Sequence, residues 1–209
     1  MRLTKLSNIF LTGCISIAVI IGGLSLATAS EITNDLKSAI DKTIEIVVDP
    51  KYQKDKTARR AEMRKIIDRK FNYTEMGRRS LAKNWNNLSV QQRQEFVDLF
   101  SKLLENSYAS KIESYRDEQI IYRDEVVKGN YAMVKTRIKR ADDKIDVDYK
   151  LKKSEGQWLI YDFVIEKVSM IRNYRSQFSK IIKRDSYEAL VAKLTKKLTE
   201  LGEGDSDKL

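Results

Sequence analysis

After Asp117 the spacing of apolar residues changes from about 3.6 to 2, the switch that separates helix from strand. Four stretches follow, "EQIIYRDEVV", "YAMVKTRIKR", "KIDVDYKLK" and "QWLIYDFVIE". They are joined at Gly129-Asn130, Asp142-Asp143 and Glu155-Gly156, turn-forming pairs at hairpin spacing. Four consecutive strands with tight turns predict an antiparallel meander. The third alternates cleanly, with Ile145, Val147, Tyr149 and Leu151 opposite Asp146, Asp148, Lys150 and Lys152, so one of its faces is wet. The fourth is apolar on both sides. Leu159, Tyr161, Phe163 and Ile165 point one way, while Trp158, Ile160 and Val164 share the other face with Asp162. Such a strand must be covered twice.

The cover comes from the flanking segments. Ile32, Leu36, Ala39, Ile40, Thr43, Ile44, Val47 and Val48 recur at helical spacing until Asp49-Pro50 stops them. A second helix carries Ala61, Met63, Ile66 and Ile67, and a short third one Met76, Leu81, Ala82 and Trp85. Ser89 with Gln92 forms a capping box for a long helix, whose apolar stripe runs from Phe96 to Tyr115. After the strands, Met170, Ile171, Tyr174, Phe178, Ile181 and Ile182 share one helical stripe, with Arg172, Ser176, Ser179, Lys180 and Lys183 opposite and Arg175 at the border. Asp185 with Glu188 predicts the cap of a last helix through Leu201. The expectation is an α+β fold: N-terminal helices packed on a twisted four-stranded antiparallel meander, then C-terminal helices.

The first residues read as a separate element. Arg2 and Lys5 precede an uncharged run that ends in Ala27-Thr28-Ala29, a small-x-small cleavage pattern. A retained membrane anchor is the alternative, since the run is long enough to span a bilayer. Leu11-Thr12-Gly13-Cys14 imitates a lipobox, yet the strongest apolar stretch follows the cysteine rather than preceding it. The expected organisation is a secretory signal over residues 1–29, cleaved after Ala29, a single domain over 30–201, and a disordered tail over 202–209. Without a twin arginine the expected route is Sec. Removing Arg2 and Lys5 takes the net charge from +10 to +8. In an exported chain that excess fits anionic lipid surfaces, acidic partners, or simply a solvated basic surface with no partner.

The mature chain would contain no Cys, and the sequence contains no His. Disulfides, thiolate nucleophiles, Cys/His zinc sites and imidazole catalysis are therefore excluded. Carboxylates remain as acid/base groups. Asp146 and Asp148 read as a solvated strand face, and Asp162 as a hydrogen-bonded or Arg175-paired group. No phosphate loop or metal-spacing cluster is present, so no enzyme, cofactor or metal is expected. "RNYRSQF" interleaves aromatics with arginines, but on a helix Tyr174 and Phe178 turn away from Arg172, which argues against nucleic acid. Two readings stay open: an apolar ligand site between sheet and helices, or a secreted, non-catalytic interaction module with a filled core. Periodicity alone does not separate a hollow interior from a filled one.

"FNYTEMGRRSLAKNWNNLSVQQRQEFVDLFSKLLENSYASKIESY" together with "WLIYDFVIEKVSMIRNYRSQF" resembles the toluene-tolerance, MlaC-type family. The likeness covers residues 32–201. The resemblance implies a periplasmic phospholipid-binding shuttle, acting as a monomer. Its implied partners are an inner-membrane ABC transporter complex and an outer-membrane lipoprotein complex, in the service of outer-membrane lipid asymmetry. It implies an apolar pocket between sheet and helices, with Phe71, Met76, Leu81, Phe100, Leu104, Val147, Tyr149, Ile160, Val164, Val168, Met170, Tyr174 and Phe178 as lining candidates. Lys167, Arg172 and Arg175 are the candidates for headgroup or partner contact. Ala82 and Lys167 stand where the family often has Gly, which bears on the pocket's shape.

Overall fold

The structure is a computed structural model and describes residues 30–206; the signal and lipobox readings lie outside the described residues. Helices α1 (Glu31–Val48), α2 (Lys56–Ile67), α3 (Tyr73–Leu81) and α4 (Val90–Glu113) precede the sheet. Strands β1 (Gln119–Lys128), β2 (Tyr131–Lys139), β3 (Lys144–Ser154), β4 (Gln157–Ile165) and the short β5 (Val168–Ser169) form it, and α5 (Met170–Arg184) and α6 (Tyr187–Ser206) close the chain. The sheet is an antiparallel meander in sequence order, with five strands rather than the four expected. The extra one arises because the chain reverses at Glu166 and Lys167, both with positive φ, and pairs back on Val164 and Ile165. No helix among the described residues is long and apolar enough to cross a membrane.

Local signals place most boundaries. Ser30 caps α1, while the Glu125 carboxylate accepts hydrogen bonds from the Thr33 amide at 3.1 Å and its hydroxyl at 2.6 Å, pinning the positive end of the helix dipole to β1. Ser89 and Gln92 exchange reciprocal bonds at 3.1 and 2.9 Å, a capping box at the start of α4. The third helix is shorter than its apolar residues suggest. At Ala82 φ is 51°, a left-handed value costing a non-glycine residue about 1–2 kcal/mol, and the chain continues as a 3-10 turn to Asn87. A glycine would carry that φ without strain. For α6 the cap is Ser186, whose hydroxyl accepts from the Ala189 amide, and Asp185 instead pairs with Arg184 and Lys193. The helix runs past Leu201 to Ser206.

The fourth strand departs most from simple alternation. Lys150 pairs with Asp162 and Leu151 with Ile160, which leaves Tyr161 as an extra residue. This bulge moves Ile160 onto the same face as Phe163 and Ile165, where strict alternation put it opposite. The free edge of β4 is also covered there: the Asn72 amide donates to the Ile160 carbonyl at 2.8 Å, and the Ile160 amide to Lys70 at 2.7 Å.

The filled part of the core lies between α3, α4, α5 and α6. Phe96, Phe100, Tyr174 and Phe178 meet with ring centroids 5.1–5.8 Å apart, mostly edge to face. At its margin Glu75, buried on α3, accepts from Arg78 at 2.7 Å, Arg79 at 2.8 Å and Lys152 of β3 at 3.2 Å, which ties helix to sheet. Burial alone would raise its pKa, but the three cationic donors prevail and bring it down to about 2. Because the folded value lies below the ordinary 4.5, the stabilisation is complete above pH 4.5 and is lost as the pH falls to about 2. Glu75→Gln is expected to cost about 2 kcal/mol at pH 7, less than the full depression implies because Arg78 and Arg79 stay partly in water. In urea unfolding the wild-type advantage should shrink between pH 4.5 and 2. A pH-independent difference would contradict this role.

Candidate apolar binding site

A cavity of about 380 Å³ lies between the inner face of the sheet and the helices that cross it. The first wall is α1, through Leu36, Ala39, Ile40, Thr43 and Ile44. The hydroxyl of buried Thr43 donates to the Ala39 carbonyl at 2.8 Å, so its polar group is satisfied inside the helix. The second wall is α2 with Met63, Ile66 and Ile67, followed by Phe71. Leu104, Ala109 and Ile112 of α4 close one end. The floor is Ile120, Ile138, Ile145, Val147, Tyr149, Ile160, Phe163 and Ile165, contributed by β1 to β4. Size and apolar lining both suit a long hydrocarbon ligand.

The lining also includes Arg60, Arg64, Asp68, Lys70, Glu105, Lys111, Glu118 and Arg140, most of them paired. Arg64 bonds Glu105, Arg140 lies 3.4 Å from Glu118, and Lys70 pairs with Asp35. Glu113 accepts from both Arg59 and Arg60 at 3.0–3.1 Å, joining α2 to the end of α4. The Tyr73 hydroxyl donates to Asp68 at 3.0 Å, and burial pushes its pKa far up, so it stays neutral. Burial likewise pushes Tyr149 up to about 12. At neutral pH both phenols are therefore uncharged.

The structure sorts the residues singled out from the sequence into three environments. Phe71, Leu104, Val147, Tyr149 and Ile160 line the cavity. Met76, Leu81, Phe100 and Phe178 are buried in the filled core, with Met170 and Tyr174 packed against it. Val164 pairs with Asp148 on the opposite face of the sheet, and Val168 is 55% exposed on β5. Arg172 and Arg175 line a separate polar recess on that opposite side. Lys167 is exposed in the β4–β5 turn, at φ 67°. Asp162 pairs not with Arg175 but with Lys150 at 3.2 Å, the Ser169 hydroxyl at 2.7 Å and the Ile171 amide at 3.1 Å.

Sequence reasoning left α1 and α2 out of the site. The available signal was the breadth of the α1 arc, where Ile40 and Ile44 widen a stripe already complete with Leu36, Ala39 and Thr43. The Ile66-Ile67 pair on an otherwise charged α2 was a second signal.

The model of the MlaC protein family matches residues 37–196, and the chain belongs to that family. The "Intermembrane phospholipid transport system binding protein MlaC" of Haemophilus influenzae is 26% identical over 124 residues, 56% of this chain. The match spans 58% of that relative's length. A phospholipid-binding protein of Ralstonia solanacearum, solved in complex with a phospholipid, superposes with a TM-score of 0.75 at 21% identity. That alignment covers 83% of this chain and 99% of the other, and the two share the fold.

Two substitutions separate cavity from core. Val147→Trp should fill the cavity and reduce uptake of a fluorescent fatty acid about tenfold or more, with the fold retained. Phe178→Ala should cost about 3–5 kcal/mol of stability yet leave uptake near wild type under native conditions. The reverse pattern would show that the ligand enters the helical core.

Proposed function

We propose that this protein is a non-catalytic phospholipid carrier that holds acyl chains in the cavity between α1, α2, α4 and the sheet. The observation that carries the reading is the predominantly apolar lining of that cavity. At about 0.8 kcal/mol per buried methylene, a chain of roughly 14 methylenes represents on the order of 10 kcal/mol of transfer free energy. An apolar interior therefore supplies affinity without headgroup bonds. Unassisted release into water is prohibitive on the same grounds, so unloading requires docking to a receiver.

The family, the relative named for intermembrane phospholipid transport and the phospholipid-bound neighbour of the same fold support this reading. The N-terminal signal pattern supports export to the periplasm. There the partners would be an inner-membrane ABC transporter complex and an outer-membrane lipoprotein complex, served by a monomeric shuttle. Binding without chemistry fits Asp162, which lies across the sheet from the cavity and is fully engaged. Met63 is the residue α2 buries, and guanidinium–carboxylate pairs attach the helix to α4.

Solvent extraction of the purified protein followed by mass spectrometry should yield phospholipid at about one per chain. Delipidated protein should regain it from vesicles. Protein that is lipid-free as purified and takes none from vesicles would establish the filled-core interaction module instead.

A further inference from the structure

A second recess, of about 410 Å³, lies on the other side of β4 from the apolar cavity. Its floor is Tyr161 and Asp162 of β4 with Lys150 of β3, and its walls come from α3, the 82–87 turn and the first turns of α5. Six cationic side chains converge there: Arg78, Arg79, Lys83, Lys150, Arg172 and Arg175. Asp162 is the single carboxylate among the lining residues, and it is occupied by Lys150, Ser169 and the Ile171 amide. Glu75, beside the recess, engages Arg78, Arg79 and Lys152. Arg79 is further held with its guanidinium 4.1 Å from the Tyr161 ring centroid. Lys83, Arg172 and Arg175 have no acidic partner among the described residues, and all three are exposed.

This arrangement differs from a solvated basic face. Scattered surface cations keep apart and each is hydrated, whereas here four separate elements bring like charges to one concavity. Their mutual repulsion is relieved by a bound anion. Two unpaired guanidinium groups, one helical turn apart on α5, present forks that match phosphate oxygens, and Lys83 adds a point charge from the facing turn. A concave recess of this volume fits a compact group better than a flat protein surface.

We propose that this recess binds a phosphate group, through Lys83, Arg172 and Arg175, independently of the apolar cavity. The phosphate comes either from an anionic lipid headgroup at a membrane surface or from a soluble phosphoester. The site stands on the far side of β4, so it does not rest on the lipid-carrier reading.

The test compares the double variant Arg172→Ala/Arg175→Ala with Lys180→Ala/Lys183→Ala, which removes equal charge from α5 outside the recess. Lys83→Ala, on a different element, reports independently. One arm titrates inorganic pyrophosphate and glycerol 3-phosphate by calorimetry. The other sediments the protein with phosphatidylcholine vesicles, with and without phosphatidylglycerol. The recess variants should lose about tenfold or more in affinity for the source that binds, while the control stays within about twofold. Binding in the first arm identifies a soluble phosphoester; binding confined to phosphatidylglycerol vesicles identifies a headgroup. Either supports the site. Absence of wild-type binding in both arms, or equal loss in recess and control variants, overturns it.

Discussion

Asp162 is the anchor on which both sides of the molecule depend. Its carboxylate, buried on the outer face of β4, holds the Ile171 amide at the start of α5, the Ser169 hydroxyl that caps that helix, and Lys150 on the neighbouring strand. A buried charge left unpaired costs several kcal/mol, so this three-way engagement fixes where α5 begins. From that start Ile171, Tyr174 and Phe178 project into the helical core beside Phe96 and Phe100. The Tyr161 bulge lets the same strand turn Ile160, Phe163 and Ile165 to the opposite side. One strand thereby supports a dense core through α5 and an open apolar cavity beneath α1 and α2.

The division of labour between the two apolar regions follows from what covers them. The helices α3 to α6 pack on one another through aromatic and leucine side chains. The cavity is roofed differently: α1 is pinned to β1 by Glu125, and α2 is attached to α4 mainly by ion pairs. The Arg59 and Arg60 pairs with Glu113 are largely shielded from water, where losing one partner of a pair costs about 3–5 kcal/mol.

Much of this was legible in the sequence, for identifiable reasons. The meander follows from period-2 alternation and turn dipeptides, and the start of α4 from Ser89 and Gln92, because those signals act over a few residues. The bulge at Tyr161 was not legible: inserting one residue changes no composition, yet it moves Ile160 to the other face. The same limit explains why Phe100 and Phe178 read like cavity residues although they stack in the core. Helical spacing reports that a side chain leaves water, not whether it meets protein or empty space. Lining by Phe71, Val147 and Tyr149 came from the family resemblance combined with strand pattern, whereas Ile40 and Ile67 needed the three-dimensional arrangement. The glycine preference of the family at the positions of Ala82 and Lys167 acquires a physical cause, since both residues adopt positive φ.

The central claim is that acyl chains occupy the space between α1, α2 and the inner sheet face. Loading the protein with a phospholipid that bears a photoactivatable group near the acyl terminus, then mapping the adducts by mass spectrometry, tests it directly. Adducts should concentrate on cavity residues such as Ile40, Ile67, Ile138 and Phe163. Adducts on the aromatic cluster of α4 and α5, or scattered over the surface without a maximum at the cavity, would contradict the account.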